Sequence, residues 1–297
     1  MHAIGIDIGG TSAKIGVILE GQVIRQERIP TGSELDYELF IEETGKRIRA
    51  LCGEYPAEKA GISSCGLIDS GNGSILYSNN IRWEKKKIAA DLARRTGLAV
   101  RIANDAKCAA LAEAVFGAGK GYGRVCMITL GTGVGGAFIR AGRLDESMGI
   151  GSVYGDGDGI LGHITVEHNG RKCTCGRRGC LEAYASAGAV VRTYQEKTGY
   201  ELSAREIFGR VRTGERAAKE TVALFTHYLA EGLVSLVNVL RPEIIVIGGG
   251  VSESADLFLG ELRETVNREV YGGSLLPVTI EEAKLGNQAG MIGAALL

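Results

Sequence analysis

Residues 3–29 read AIGIDIGGTSAKIGVILEGQVIRQERI, and residues 124–144 read RVCMITLGTGVGGAFIRAGRL. The first stretch is an apolar strand, a glycine turn, a second strand, a short Glu20-Gly21 turn and a third strand. The second follows the same plan: apolar strand, Gly-Thr-Gly turn, apolar strand, then an Ala141-Gly142 turn. One hairpin written twice, about 120 residues apart, predicts a duplicated α/β domain. Between the copies the pattern predicts helices near Asp36 to Cys52 and Lys86 to Thr96, strands near Ala60 to Ser64 and Ala99 to Ile102, and a helix starting after Asn104. Beyond them it predicts a long helix from Ala217 to Leu240 closed by Pro242, and a buried strand in EIIVIGGGV. A helix over Ala255 to Val270, a strand over Val278 to Glu281 and a last helix over Asn287 to Leu297 complete the reading. Glycine density places the boundary between the two halves near Gly117 to Gly123.

Composition narrows the chemistry. A length of 297 residues suits two domains, and 45% hydrophobic with 23% charged residues is ordinary for a globular protein. No window reads as the ~18 apolar residues of a membrane span, so no membrane partner is expected. The opening MHAIGIDIGG lacks the basic region, apolar core and cleavage site of a signal peptide, and the expected location is the cytoplasm. With 34 basic and 35 acidic side chains there is no electrostatic reason to expect nucleic acid. Forty-five glycines against four prolines point to backbone turns that approach a small ligand closely. Of seven cysteines, Cys52, Cys65, Cys108 and Cys126 read as buried thiols. The other three crowd into eight residues.

Three turns suit a nucleotide. In the first, Asp7-Ile-Gly9-Gly10-Thr11 with Lys14, glycines let backbone N–H groups reach phosphate oxygens and the threonine adds a donor. Asp7 is placed to hold Mg²⁺ through water. The second, Gly131-Thr132-Gly133, is the matching turn of the repeat, and the third, Gly248-Gly249-Gly250, can receive the nucleoside. The P-loop pattern is absent, as is the strand, G-x-G-x-x-G and helix of a dinucleotide site. Asn104-Asp105 follows a strand and starts a helix, which suits both a helix cap and a general base aimed at a substrate hydroxyl. Cys173, Cys175 and Cys180 with a preceding imidazole, His163 or His168, make a set suited to tetrahedral zinc. Four protein ligands leave no open position for activating water, so this zinc is expected to be structural.

Together these residues resemble the ROK family over nearly the whole chain. The resemblance rests on Asp7-x-Gly-Gly-Thr11, Gly66, Asn80 and Asn104-Asp105, the last heading a helix that ends near Glu113. It continues through Leu130-Gly-Thr-Gly-Val-Gly, Gly162-His163, the specific run CTCGRRGCLE ending at Glu182, Gly248 to Gly250 and Ala289-Gly290. The resemblance implies an actin-like, ribonuclease H-like ATPase fold with duplicated domains around a central cleft. Residues 1–117 would form the smaller domain, completed by 287–297, and 118–286 the larger, with the zinc segment at 163–182. It implies ATP-dependent phosphorylation of the 6-hydroxyl of a hexose, glucose favoured, with N-acetylmannosamine or N-acetylglucosamine as alternatives. Asp105 would be the base, and Gly66, Asn80, Asn104, Asp105, His163 and Glu182 would line the sugar. His163, with nine residues before Cys173, would be the zinc ligand. A homodimer or homotetramer is the implied assembly.

One position departs from the family. Family kinases carry Glu-x-Gly-His, the glutamate binding sugar hydroxyls, where this chain has Ile160. An isoleucine accepts no hydrogen bond, which would leave a sugar donor unpaired at a cost of about 1–3 kcal/mol. The expectation is that Asp156 or Asp158, set among glycines, reaches into the pocket instead; an atypical sugar or weakened catalysis are the other readings. A sugar sensor is thus the alternative of another class. The family's repressors carry a basic helix-turn-helix ahead of the first phosphate strand, where this chain opens, so a DNA-binding role is disfavoured.

Overall fold

The computed structural model describes residues 1–32, 35–78, 80–144 and 161–297. They fall into two compact units, one holding Met1–Lys120, 142–144 and Leu285–Leu297, the other Gly121–Ala141 and 161–284.

In the first unit, β1 (His2–Ile8), β2 (Ser12–Leu19) and β3 (Gln22–Pro30) form the antiparallel meander, with Asp7 opposite Lys14 across the first turn. Their branched residues suit a pleated, buried surface, and Ile4, Ile6 and Ile15 are fully buried. β4 (Ala57–Ser64) and β8 (Ala99–Asn104) extend the sheet in parallel, giving the order β3-β2-β1-β4-β8. Parallel neighbours need crossovers, supplied by α1 (Tyr37–Glu54) and α2 (Ile88–Thr96). The first is capped by the Asp36 carboxylate, which accepts the Leu39 N–H at 2.9 Å, and it buries Phe40, Ile41 and Ile48. A small antiparallel sheet, β5 (Leu67–Asp69), β6 (Ser74–Ser78) and β7 (Trp83–Lys86), lies in the β4 to α2 connection. α3 (Asp105–Val115) packs against α9 (Ala289–Ala294), so the C-terminal segment belongs to the first unit's core through Met291 and Ile292.

The second unit repeats the sheet. β9 (Arg124–Leu130) and β10 (Val134–Arg140) form the hairpin, and β11 (Arg143–Leu144) is a two-residue edge. β12 (Ile244–Gly248) lies parallel to β9, and β13 (Thr279–Glu282) parallel to β12, giving β11-β10-β9-β12-β13. The two orders correspond strand for strand, which is the duplication that the repeated hairpin predicted. Helices α4 (Glu182–Ala185), α5 (Ala187–Thr198), α6 (Ala204–Arg212), α7 (Arg216–Leu240) and α8 (Leu259–Glu269) supply the remaining core. α7 buries Val222, Phe225, Leu229, Leu233 and Leu236 at helical spacing, and Phe225 stacks edge-on against Phe208 and Phe258. It stops where Arg241 turns left-handed (φ 49°) ahead of Pro242.

Several sequence expectations shift here. By length and composition α7 could cross a membrane, contrary to the reading that no window qualifies, yet half of its apolar window is buried as a core helix. The helix expected from Ala255 is a 3-10 segment, Gly250–Leu257, before α8, because Phe258 leaves helical geometry to enter the core. The last helix is shorter than expected, beginning at Ala289 after a 3-10 turn. Cys108 and Cys126 are buried, whereas Cys52 and Cys65 are only half-buried. The positions of Ile160, Asp156 and Asp158 lie outside the described residues.

Candidate functional site

The first turn closes when the Gly9 N–H donates to the Ser12 carbonyl at 3.0 Å, and the Thr31 hydroxyl donates to the Gly9 carbonyl at 2.6 Å. Gly10 stands against the Asn80 side chain, and Thr11 is exposed at the tip. Asp7, at the end of β1, accepts the Ser63 hydroxyl at 2.8 Å and lies 3.6 Å from the Lys14 ammonium. Lys14 also donates to the Asn287 carbonyl at 2.8 Å, so it ties the turn to the C-terminal segment.

Asn104 ends β8 and Asp105 opens α3, the strand-to-helix junction that the sequence reading gave them. The Asn104 side chain caps α3 by accepting the Ala106 N–H at 3.0 Å. Its amide lies 3.5 Å from the Gly66 carbonyl. Gly66 sits at φ 111°, where a side chain would collide with Tyr77 and Ser78, so only glycine fits. Asp105 keeps its side chain open to solvent, with Oδ1 accepting the Ala106 N–H at 2.9 Å. The density of protein around its carboxyl nevertheless pushes its pKa above the ordinary aspartate value; the Ala106 N–H opposes this and the nearby Asp7 carboxylate adds to it. A carboxyl held upward in this way is suited to accept a proton from a hydroxyl. Cys65 is a neighbour that the sequence reading assigned to the core: it lies 3.5 Å from the Ser78 hydroxyl, and burial pushes its thiol up, with Ser78 opposing.

In the second unit the Gly131 N–H donates to the Gly133 carbonyl at 3.0 Å, and the Gly131 carbonyl accepts the first amide of α5, at Ala187, at 2.8 Å. Gly131, Thr132 and Gly250 line a cavity of about 590 Å³ whose far wall is Arg205, Phe208, Gly209 and Arg212 of α6. Two of the three glycine turns thereby share one pocket. The α6 wall was not foreseen, because nothing local in Ala204–Arg212 marks it; only the packing of α6 beside Gly250–Leu257 does.

The four donor atoms of His163, Cys173, Cys175 and Cys180 lie within 4.8 Å of one another. The Cys173 sulfur is 3.4 Å from His163 Nδ1, and the Cys175 and Cys180 sulfurs are 3.7 Å apart. A disulfide would need about 2.05 Å, whereas ligands of a tetrahedral zinc at about 2.0–2.3 Å stand roughly 3.5–3.8 Å apart. The donor set therefore fits a metal ion and not a cystine. Positive-φ glycines 176 and 179 turn the loop between Cys175 and Cys180. Glu182, two residues beyond Cys180, accepts the Val134 N–H at 3.1 Å and the Thr174 hydroxyl at 2.7 Å. His168 takes no part in the cluster.

A model of the ROK family matches residues 3–297. The glucokinase of Thermotoga maritima is 34% identical over 312 residues, covering 99% of this chain and 96% of that protein. The N-acetyl-D-glucosamine kinase of Mannheimia succiniciproducens is 30% identical over 308 residues, covering 99% and 98%. Among solved structures, a ROK family glucokinase from Streptomyces griseus in complex with glucose and AMPPNP is 31% identical; the match covers 99% of this chain and 98% of that one, with a TM-score of 0.79.

Proposed function

The chain belongs to the ROK family, and on that premise we propose that it is an ATP-dependent kinase that phosphorylates the 6-hydroxyl of a hexose, glucose favoured. The fold is the actin-like ATPase fold of that family. The observation that carries the reading is Asp105, a solvent-open carboxyl raised by its surroundings at the head of α3, in the same unit as the first phosphate-type turn. Asp105 takes the proton of the sugar hydroxyl as its oxygen attacks the γ-phosphorus, the bond to the β-phosphate oxygen breaks, and ADP leaves. The Gly9 and Gly131 N–H groups close their turns; the backbone N–H groups of Gly10 and Thr11, and of Thr132 and Gly133, receive phosphate oxygens, and the cavity at Gly250 and α6 takes the nucleoside. Mg²⁺, which neutralises phosphate charge, would be held by Asp7 through water. Gly66, Asn80, Asn104, His163 and Glu182 are assigned to the sugar. Zinc at His163, Cys173, Cys175 and Cys180 would order the segment carrying His163 and Glu182 and do no chemistry itself.

The remaining assignments belong to the same proposal: a smaller domain of 1–117 completed by 287–297, a larger one of 118–286, a homodimer or homotetramer, and a cytoplasmic location. A second reading, phosphorylation of an N-acetylhexosamine, is supported by the N-acetyl-D-glucosamine kinase among the relatives. ADP release measured with glucose, N-acetylglucosamine and N-acetylmannosamine separates the two. Glucose is expected to give the highest kcat/KM, and Asp105→Ala to lower turnover by about 10²–10⁴-fold with nucleotide binding retained. Turnover of none of the three sugars, with sugar binding intact, would replace the kinase by a sensor. Unchanged turnover in Asp105→Ala would remove Asp105 from its role.

A further inference from the structure

Thr174 stands between two cysteines of the metal-type cluster, and its hydroxyl donates to Glu182 Oε1 at 2.7 Å. The other oxygen of the same carboxylate accepts the N–H of Val134 at 3.1 Å, and Val134 is the first residue of β10 directly after the Gly131 to Gly133 turn. The turn makes room for it: a Cβ on Gly133 would stand 2.5 Å from Glu182 Oε2. One carboxylate thus joins the cysteine loop to the second glycine turn, held at one oxygen by each. Cys173 Sγ lies 3.7 Å from the oxygen that Thr174 engages.

We propose that Thr174 is a positioning residue for the transfer reaction: its hydroxyl orients the Glu182 carboxylate so that the cysteine loop, Glu182 and the Gly131 to Gly133 turn hold one arrangement. This inference rests on the kinase reading for its catalytic meaning, and on the two hydrogen bonds alone for its structural meaning. Thr174→Val preserves shape and removes the donor; Oε1 then loses its hydroxyl partner, the carboxylate is no longer held in one orientation, and the Val134 N–H loses its fixed acceptor. Thr174→Ser keeps the hydroxyl.

The test uses the full chain as purified, with its metal content measured. In Thr174→Val, KM for the hexose is expected to rise about tenfold or more, the range for losing a hydrogen bond to a charged group. The Val134 amide is expected to exchange with solvent deuterium about tenfold faster, with metal content unchanged and Thr174→Ser restoring both. Unchanged KM and unchanged exchange overturn the proposal. So does loss of metal in Thr174→Val, which would mean that Thr174 only shapes the cysteine loop, and so does failure of Thr174→Ser to restore. If the unaltered protein phosphorylates no hexose, the kinase reading falls, and the exchange of Val134 alone decides whether Thr174 orients Glu182.

Discussion

Replacing Glu113 is expected to destabilise the first unit more than any surface change. The side chain is 0% exposed at the end of α3; Oε2 accepts the Ala118 N–H at 2.8 Å and Oε1 accepts the Leu285 N–H at 2.7 Å. Residues 118 and 285 adjoin the points where the chain leaves the first unit and returns to it. Glu113→Ala strands both amides, and at about 1–3 kcal/mol for each buried unsatisfied donor the cost is roughly 2–6 kcal/mol. Glu113→Gln keeps the shape but turns one oxygen into an N–H donor that faces a donor, stranding one amide for about 1–3 kcal/mol. The order of stability is therefore wild type, then glutamine, then alanine. Urea unfolding followed by tryptophan fluorescence reads this directly, because the sole tryptophan, Trp83, is 3% exposed in the core of the same unit. A glutamine variant as stable as wild type would refute the claim that both oxygens accept. An alanine variant within about 0.5 kcal/mol of wild type, the range of ordinary surface substitutions, would refute the whole argument.

The role proposed for Asp105 ties turnover to stability. Its folded pKa is raised, so it favours folding below the ordinary aspartate value, and that contribution is lost as pH rises through the raised value; at neutral pH its charge is a net cost. Asp105→Asn should thus melt at or above the wild-type midpoint at neutral pH while losing turnover, and a lower midpoint would contradict the sign. The acid limb of the wild-type kcat/KM profile should have its midpoint above the ordinary carboxylate value, and a midpoint at or below that value would count against Asp105 as base. Elemental analysis should find one zinc ion per chain, reduced in Cys175→Ser. Chelation should speed amide exchange across 163–182, and a metal-free wild type with the same exchange pattern would remove zinc from the account.

What the sequence revealed was what is local. The hairpins could be read because a glycine turn between two apolar strands is written in consecutive residues, and its recurrence implied the second sheet before any helix was assigned. The cysteine loop could be read for the same reason, three cysteines lying within eight residues. The three-stranded sheet β5-β6-β7 was missed because its strands run only three to five residues and its first pairing is broken by a register shift, leaving too little alternation to see. The α6 wall of the cavity was missed because Phe208 and Arg205 carry no mark of a pocket until α6 packs beside Gly250.

The same division separates the groups that would do chemistry from the groups that hold them. Asp105 announces itself as a carboxylate at a strand-to-helix junction, but Glu113, eight residues further on, reads only as the end of an alanine-rich helix. Its partner at Leu285 is 172 residues away, and no periodicity connects them. Thr174 looks like filler between two cysteines until Glu182 brings it to Val134, 40 positions earlier in the chain. A motif fixes which donors and acceptors exist, because chemistry needs particular side chains. The geometry of those groups is fixed by neighbours whose only requirement is a donor at the right place, and several residue types meet that requirement. Substitution is therefore expected to act differently on the two kinds of residue: abruptly at Asp105, whose proposed role uses the carboxylate itself, and by graded losses recoverable by a conservative replacement at Thr174, whose proposed role uses only its hydroxyl.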